Sequence, residues 1–149
     1  MSCDAVAFSA FLWLASAGGA PVQAIPAVAT APISVAAEPL YADIIRRAGD
    51  LKLQVDAYRQ ASEPLSGGFK AAVGELAALD MKGHEDLKAR GVDGDLKCIL
   101  RGIAQDLPLR LKDVESAADA KARDLALREM AYLLRDNVEV ITAPPKPPV

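Results

Sequence analysis

The chain has 149 residues, 17 basic and 20 acidic side chains, and a formal net charge of −3. This length fits one domain, and the mixing of both charge signs excludes the basic face of a nucleic-acid-binding protein. Hydrophobic residues make up 52% of the chain but aromatic residues only 5%. This composition favours helices packed through aliphatic side chains over a β-sandwich.

Residues 5–37 contain no charged side chain, and residues 5–17 are their most apolar part. The apolar run is shorter than the roughly 20 residues that span a bilayer, and Gly18, Gly19 and Pro21 interrupt it. Its length is typical of the hydrophobic region of a signal peptide, and Val22 and Ala24 suit a cleavage site. The sequence therefore predicts a signal peptide over residues 1–24, cleavage after Ala24, and a periplasmic or secreted protein.

The charge of this segment is unusual for an export signal, because it has no Lys or Arg and contains Asp4. Two alternatives therefore stay open. The segment is either an uncleaved helix that associates with a membrane, or a buried helix of a cytosolic fold. Contact with a membrane is expected only if the segment is not cleaved.

Residues 25–38 are predicted to form an Ala/Pro-rich linker, because Pro26 and Pro32 disfavour a regular helix. Residues 142–149 form a Pro-rich tail that we expect to be extended and solvated. Its Pro-Pro-Lys-Pro-Pro run also resembles ligands of aromatic grooves, which is the alternative interpretation. The segment between them, residues 39–141, is the predicted folded domain.

Apolar residues recur in this domain at spacings of three and four, which predicts an all-α, antiparallel up-down bundle of about four helices. Helix one is expected to begin at Pro39 and to end at the turn over residues 62–68. Its predicted apolar stripe contains Leu40, Ile44, Ala48, Leu51, Val55 and Tyr58.

Helix two has a thinner stripe, with Phe69, Val73, Leu76, either Leu79 or Asp80, Gly83 and Leu87. Gly74 and Gly83 each weaken a helix by about 1 kcal/mol relative to alanine, unless they permit close helix approach. Lys88 and Arg90 suit the last turn, and Gly91 suits the position just beyond the helix.

Helix three is predicted to start at a cap formed by Asp93, with Asp95 in its first turn. Its stripe continues through Pro108 without a change of phase, which predicts a kink rather than a break. The sequence from Ser116 to Asp119 resembles a capping box, although one continuous helix is the alternative. A shift in apolar phase favours the break, so helix four is predicted over residues 117–140.

Candidate sites are few. His84 is the only histidine, and Asp80 precedes it by four residues, so one helix face offers two metal ligands. A tetrahedral site needs three or four ligands, and Cys98 could join only from another helix. A b-type haem could use His84 with Met130, whereas Met81 lies on the same helix and could not face it. The interpretation we favour is a solvated His84 near a polar helix end.

Cys98 is interpreted as a buried or half-buried small apolar residue, with an intermolecular disulfide or a reactive thiol as alternatives. The carboxylate pairs Asp93/Asp95 and Glu85/Asp86 are explained as helix-end residues. No arrangement of nucleophile, base and orienting group appears, so no catalytic, cofactor-binding or metal-binding residue is predicted.

The sequence thus predicts an exported, non-enzymatic helical protein that acts as an interaction or structural module in the cell envelope. Its expected partner is another protein or a second copy of the chain, and a weak core in helix two would favour self-association. The alternatives are a bundle that binds a small ligand, metal or haem, and a membrane-surface protein anchored by its N-terminal segment.

Overall fold

The computed structural model describes residues 34–61, 63–92 and 94–144. These residues form four α-helices and no strand: α1 (Pro39–Gln60), α2 (Gly67–Ala89), α3 (Leu96–Glu115) and α4 (Ala120–Thr142). The predicted all-α bundle of four helices is therefore confirmed. The predicted signal peptide over residues 1–24, most of the linker and residues 145–149 of the tail lie outside the described residues.

Consecutive helices are antiparallel, and α4 closes the bundle by packing beside α1. Ion pairs at the helix ends mark this arrangement. Arg59 near the end of α1 lies 3.1 Å from Asp124 near the start of α4, and Lys70 near the start of α2 lies 2.6 Å from Glu115 at the end of α3. Exposed pairs of this kind contribute about 1 kcal/mol or less each. The apolar core between the helices therefore holds the fold together.

The core is aliphatic, with Tyr41 and Phe69 as its largest fully buried side chains. The predicted apolar stripe of α1 contains Leu40 and not Tyr41. In the structure Leu40 is only half-buried. The hydroxyl of Tyr41 lies 2.8 Å from Asp86 Oδ2 and 3.2 Å from the carbonyl oxygen of Gly83, so it donates to α2. Tyr41 thus fixes the start of α1 against the last turns of α2.

Both ends of α2 have recognisable caps. The Ser66 hydroxyl accepts a hydrogen bond from the Phe69 amide at 3.1 Å. At the other end Gly91 has a positive φ of 63°, as predicted for the residue beyond the helix. The Gly91 and Val92 amides donate back to the carbonyls of Lys88 and Leu87, which is the Schellman pattern.

The chain does break before α4, but the predicted capping residue was wrong. Ser116 ends α3, where its hydroxyl donates to the Lys112 carbonyl at 2.9 Å. The N-cap of α4 is Asp119, whose Oδ1 accepts from the Ala122 amide at 2.8 Å. Pro108 lies inside an uninterrupted α3, as the unbroken apolar phase predicted.

The start of α3 also differs from the prediction. Asp93 lies outside the described residues, and the N-cap position belongs to Asp95, whose side chain makes no capping hydrogen bond. The loop before α3 is instead held by Lys97, whose ammonium group donates to the Val92 carbonyl at 2.7 Å.

The last residues of the predicted linker pack on the bundle. Val35 is 1% exposed and belongs to the core. Glu38 makes a two-point ion pair with Arg90, with nitrogen–oxygen distances of 2.8 and 3.1 Å. The segment that enters α1 is therefore anchored to the end of α2, next to the Tyr41 contact.

Replacement by alanine should change the free energy of unfolding differently at two glycines of α2. A Cβ at Gly74 would meet nothing within 4 Å, whereas a Cβ at Gly83 would lie 3.2 Å from Leu100 Cδ1 and 3.4 Å from Tyr41 Cε1. Gly74→Ala should raise the free energy of unfolding by about 1 kcal/mol through helix propensity alone. In Gly83→Ala, overpacking of about 1–3 kcal/mol should cancel or exceed that gain. Urea denaturation of both variants tests this expectation, and equal stabilisation by both would refute close packing at Gly83.

Candidate functional site

The bundle interior contains a buried acid–amide pair. Asp80 of α2 and Asn137 of α4 are both 0% exposed. The Asn137 side-chain amide donates to Asp80 Oδ2 at 2.8 Å. The other carboxyl oxygen of Asp80, Oδ1, and the amide oxygen of Asn137, Oδ1, are buried and have no hydrogen-bond partner. Because buried polar atoms are nearly always paired, these two oxygens are the clearest chemical irregularity of the described core.

The environment of Asp80 disfavours its ionised form. Burial raises the pKa of Asp80 to about 8, and the hydrogen bond from Asn137 offsets this only in part. Desolvation without a cationic partner is the usual cause of such a shift. The pair therefore holds a neutral carboxylic acid at neutral pH.

His84 lies one turn beyond Asp80 on α2, but it faces a different helix. Its Nδ1 lies 2.6 Å from the carbonyl oxygen of Lys97 on α3, to which a protonated Nδ1 donates. Only 8% of the His84 side chain is exposed. The expectation of a solvated histidine was therefore wrong: the polar end of α2 is covered by the start of α3, and His84 joins the two.

The metal and haem interpretations find no assembled ligand set in the part of the chain that the structure describes. Asp80 pairs with α4 and His84 with α3, and no group of three or more His, Cys, Asp or Glu side chains is positioned to hold a metal among the described residues. Met130, the candidate second haem ligand, is 0% exposed and packs in the aliphatic core.

Cys98 is half-buried on α3, as expected. It is disulfide-bonded and not a free thiol, so the alternative of a reactive thiol was wrong.

A second candidate site lies on the outer surface, in a groove between the end of α3 and the start of α4. The groove has a volume of about 250 Å³. Its lining contains three apolar and three polar residues: Ala122, Leu125, Ala126, Asp113, Ser116 and Glu129. Leu125 is 50% exposed although it is a large apolar residue. We call this feature the α3–α4 groove.

The exposed face of α4 continues from the groove to Tyr132, which is 56% exposed. Seven residues separate Leu125 from Tyr132, so both lie on the same side of the helix, two turns apart. The Arg135 guanidinium lies 4.7 Å from the centre of the Tyr132 ring, a cation–π distance that orients the ring. The face therefore presents two large apolar side chains beside the groove.

The fold and these two features define a class: an all-α antiparallel four-helix bundle with a buried acid–amide pair and an apolar outer groove. No protein family model, curated protein or solved structure matches the chain. None of the helices in the described residues is long and apolar enough to cross a membrane.

Sequence reasoning missed the acid–amide pair for an identifiable reason. Asn137 and Val138 both continue the spacing of Met130 and Leu134 along α4, and the apolar choice was Val138. The structure buries Asn137 and leaves Val138 half-buried. In α2 the same ambiguity lay between Leu79 and Asp80. The sequence signal for such a pair is a polar residue on the apolar stripe of each of two helices.

Proposed function

We propose that this protein is an exported helical interaction module that binds a protein partner at the α3–α4 groove. The observation that carries the proposal is the exposure of Leu125, which lines the groove, and of Tyr132, two turns further along the same face of α4. Tyrosine is one of the residue types that most often supply the binding energy of protein interfaces.

The groove fits a side chain of a protein better than a small ligand. Its volume of about 250 Å³ lies below the range of roughly 300–1,000 Å³ that is usual for small-molecule sites. It is also an open surface feature at the junction of two helices, where an apolar side chain of a partner can pack against Leu125.

The charges at the groove indicate the chemistry of the partner. Asp113 and Glu129 are the charged residues of the groove lining, and both pair with the single guanidinium of Arg110. Two carboxylates that share one cation leave an excess of negative charge. The expected partner therefore presents an apolar side chain next to a basic residue, which complements this edge.

A second copy of the chain is less well supported than a different protein. Self-association was expected because helix two had a thin stripe, yet buried residues recur along α2 from Phe69 to Leu87. The large exposed apolar residues of the described chain, Leu53, Leu109, Leu125 and Tyr132, lie on the other three helices. The support for export is the uncharged segment over residues 5–17, followed by residues that suit cleavage after Ala24.

Affinity capture from the cell envelope tests the docking face with matched variants. We expect wild-type protein and Leu53→Glu to retain the same partner, and Leu125→Glu to lose it. Leu53 is the matched control because it is a leucine that is 70% exposed on α1, away from the groove. Each exposed substitution should change the free energy of unfolding by about 0.5 kcal/mol or less, which circular dichroism melting checks.

Four outcomes would count against the proposal. Retention of the partner by Leu125→Glu would exclude the groove, and loss by both variants would show a nonspecific apolar contact. A wild-type dimer that Leu125→Glu converts to a monomer in light scattering would replace the partner with a second copy. An intact Met1 on cytosolic protein, measured by mass spectrometry, would overturn export without affecting the docking face.

A further inference from the structure

The acid–amide pair crosses the centre of the bundle. Helix α2 packs against α1 and α3, and α4 also packs against α1 and α3, so α2 and α4 are not neighbours. The hydrogen bond from Asn137 to Asp80 therefore joins two helices that face each other across the core. A change at this pair acts on both halves of the bundle at once.

Among the described residues, the Asn137 amide is the one group that favours a negative charge on Asp80. The buried positions of α3 are apolar, and those of α4 are apolar except for Asn137. On α2 itself Lys82 is exposed, and His84, one turn beyond Asp80, has its Nδ1 facing the Lys97 carbonyl. On α1 the buried titratable group is Tyr41, whose hydroxyl is directed to Asp86 and Gly83.

The two unpartnered oxygens, Asp80 Oδ1 and Asn137 Oδ1, can form a hydrogen bond with each other only if Asp80 carries a proton. An ionised Asp80 offers acceptors alone, and Asn137 Oδ1 is an acceptor too, so neither orphan could satisfy the other. A protonated carboxyl adds one donor, which is the group that Asn137 Oδ1 lacks. A carboxylic acid and an amide can then form two hydrogen bonds with each other. The one from the Asn137 amide to Asp80 Oδ2 is already present.

We propose that Asp80 is a proton-binding switch of the bundle: its protonated form closes α2 against α4 through Asn137, and loss of the proton loosens this contact and admits water. This device is independent of the docking face on α4. It makes the compactness of the core a function of pH.

The direction of the pH dependence follows from the burial of Asp80. Its pKa is raised from an ordinary value of 3.8 to about 8 in the folded chain. Between these values the unfolded chain is ionised at Asp80 and the folded chain is not, so folding takes up one proton. The stabilisation from protonated Asp80 is complete below its pKa in the unfolded chain. Between the two pKa values the folding constant falls by up to about tenfold per pH unit, and the stabilisation is lost as the pH rises through the pKa of the folded chain.

Equilibrium unfolding of the full chain as a function of pH measures this proton. Asp80→Asn keeps the shape of the side chain without the titration, and Asp106→Asn makes the same chemical change at an exposed position of α3. From about pH 5 to about pH 7, the folding constant of the wild type and of Asp106→Asn should fall up to about tenfold more per unit than that of Asp80→Asn. Equal slopes for wild type and Asp80→Asn would overturn the proposal.

A measurement on the wild type alone guards against a variant that fails to fold. The side-chain carboxyl carbon of Asp80 should titrate near the raised pKa in a nuclear magnetic resonance experiment. Amide hydrogen exchange around Asp80 and Asn137 should then accelerate above that pH beyond the intrinsic base-catalysed rate. Titration at the ordinary pKa of an aspartate, or exchange that follows the intrinsic rate only, would refute the switch.

Discussion

Replacing Tyr41 with alanine should lower the free energy of unfolding by about 4 kcal/mol, because large aromatic-to-alanine changes in a core typically cost about 3–5 kcal/mol. The ring is fully buried and packs against the position of Gly83, where an added Cβ would lie 3.4 Å from Tyr41 Cε1. The substitution also removes the hydroxyl that donates to Asp86 and Gly83. Urea denaturation followed by circular dichroism measures the loss.

Tyr41→Phe separates the ring from the hydroxyl. It keeps the buried ring and removes the hydrogen bonds, for which we expect a loss of about 1–2 kcal/mol. The hydroxyl contact also holds the pKa of Asp86 below its usual range, so that pKa should rise in Tyr41→Phe. A loss below about 1 kcal/mol in Tyr41→Ala would contradict the burial of the ring.

The acid–amide pair should show strong coupling in a double-mutant cycle. Asn137→Leu removes the hydrogen-bond partner of Asp80, and Asp80→Leu leaves the Asn137 amide unpaired. Each single change should destabilise the protein by about 2 kcal/mol, the cost of an unsatisfied buried polar group. The double variant removes both orphan oxygens and should be at least as stable as the wild type, because apolar replacement of a buried polar pair is often neutral or stabilising.

The cycle is measured by chemical denaturation near pH 6, where Asp80 is neutral in the folded wild type. The coupling energy should reach about 2 kcal/mol or more, at the upper part of the range for contacting residues. Additive losses in the double variant would mean that Asp80 and Asn137 do not interact in the folded protein. Asp106→Leu, at an exposed position of α3, is the control that tests an aspartate-to-leucine change outside the core.

The helices themselves were largely predictable, because they follow from local rules. Pro39 occupies the first helical position, Gly91 adopts the positive φ that ends α2, and the spacing of Ile44, Ala48, Leu51 and Val55 gives the buried side of α1. These features depend on backbone geometry and on a period of 3.6 residues, both of which are written in neighbouring residues.

The candidate site was less predictable, because helical spacing leaves a choice at each turn. Both Leu40 and Tyr41 fit the stripe that continues at Ile44, and hydrophobicity favoured leucine. The backbone of Gly83 leaves room for the Tyr41 ring, and Asp86 accepts from its hydroxyl. That choice depends on Gly83 and Asp86 of α2, which lie more than forty residues further along the chain.

The burial of His84 also depends on a helix other than its own. Beside the charged residues Glu85 and Asp86 it was expected to be solvated. The Lys97 carbonyl of α3 takes its Nδ1 out of water, which no property of α2 alone could indicate.

The sequence by itself determined the number of helices, their extents to within a few residues and most of their buried sides, because these depend on local backbone preferences and on apolar periodicity. The tertiary structure alone decided that Asp80 meets Asn137 across the core and that Leu125 and Tyr132 stay exposed beside a groove. The physical reason is that burial of a polar group depends on its partner. Asp80 is acceptable inside the bundle only where α4 places an amide 2.8 Å away, and that distance arises when the helices pack.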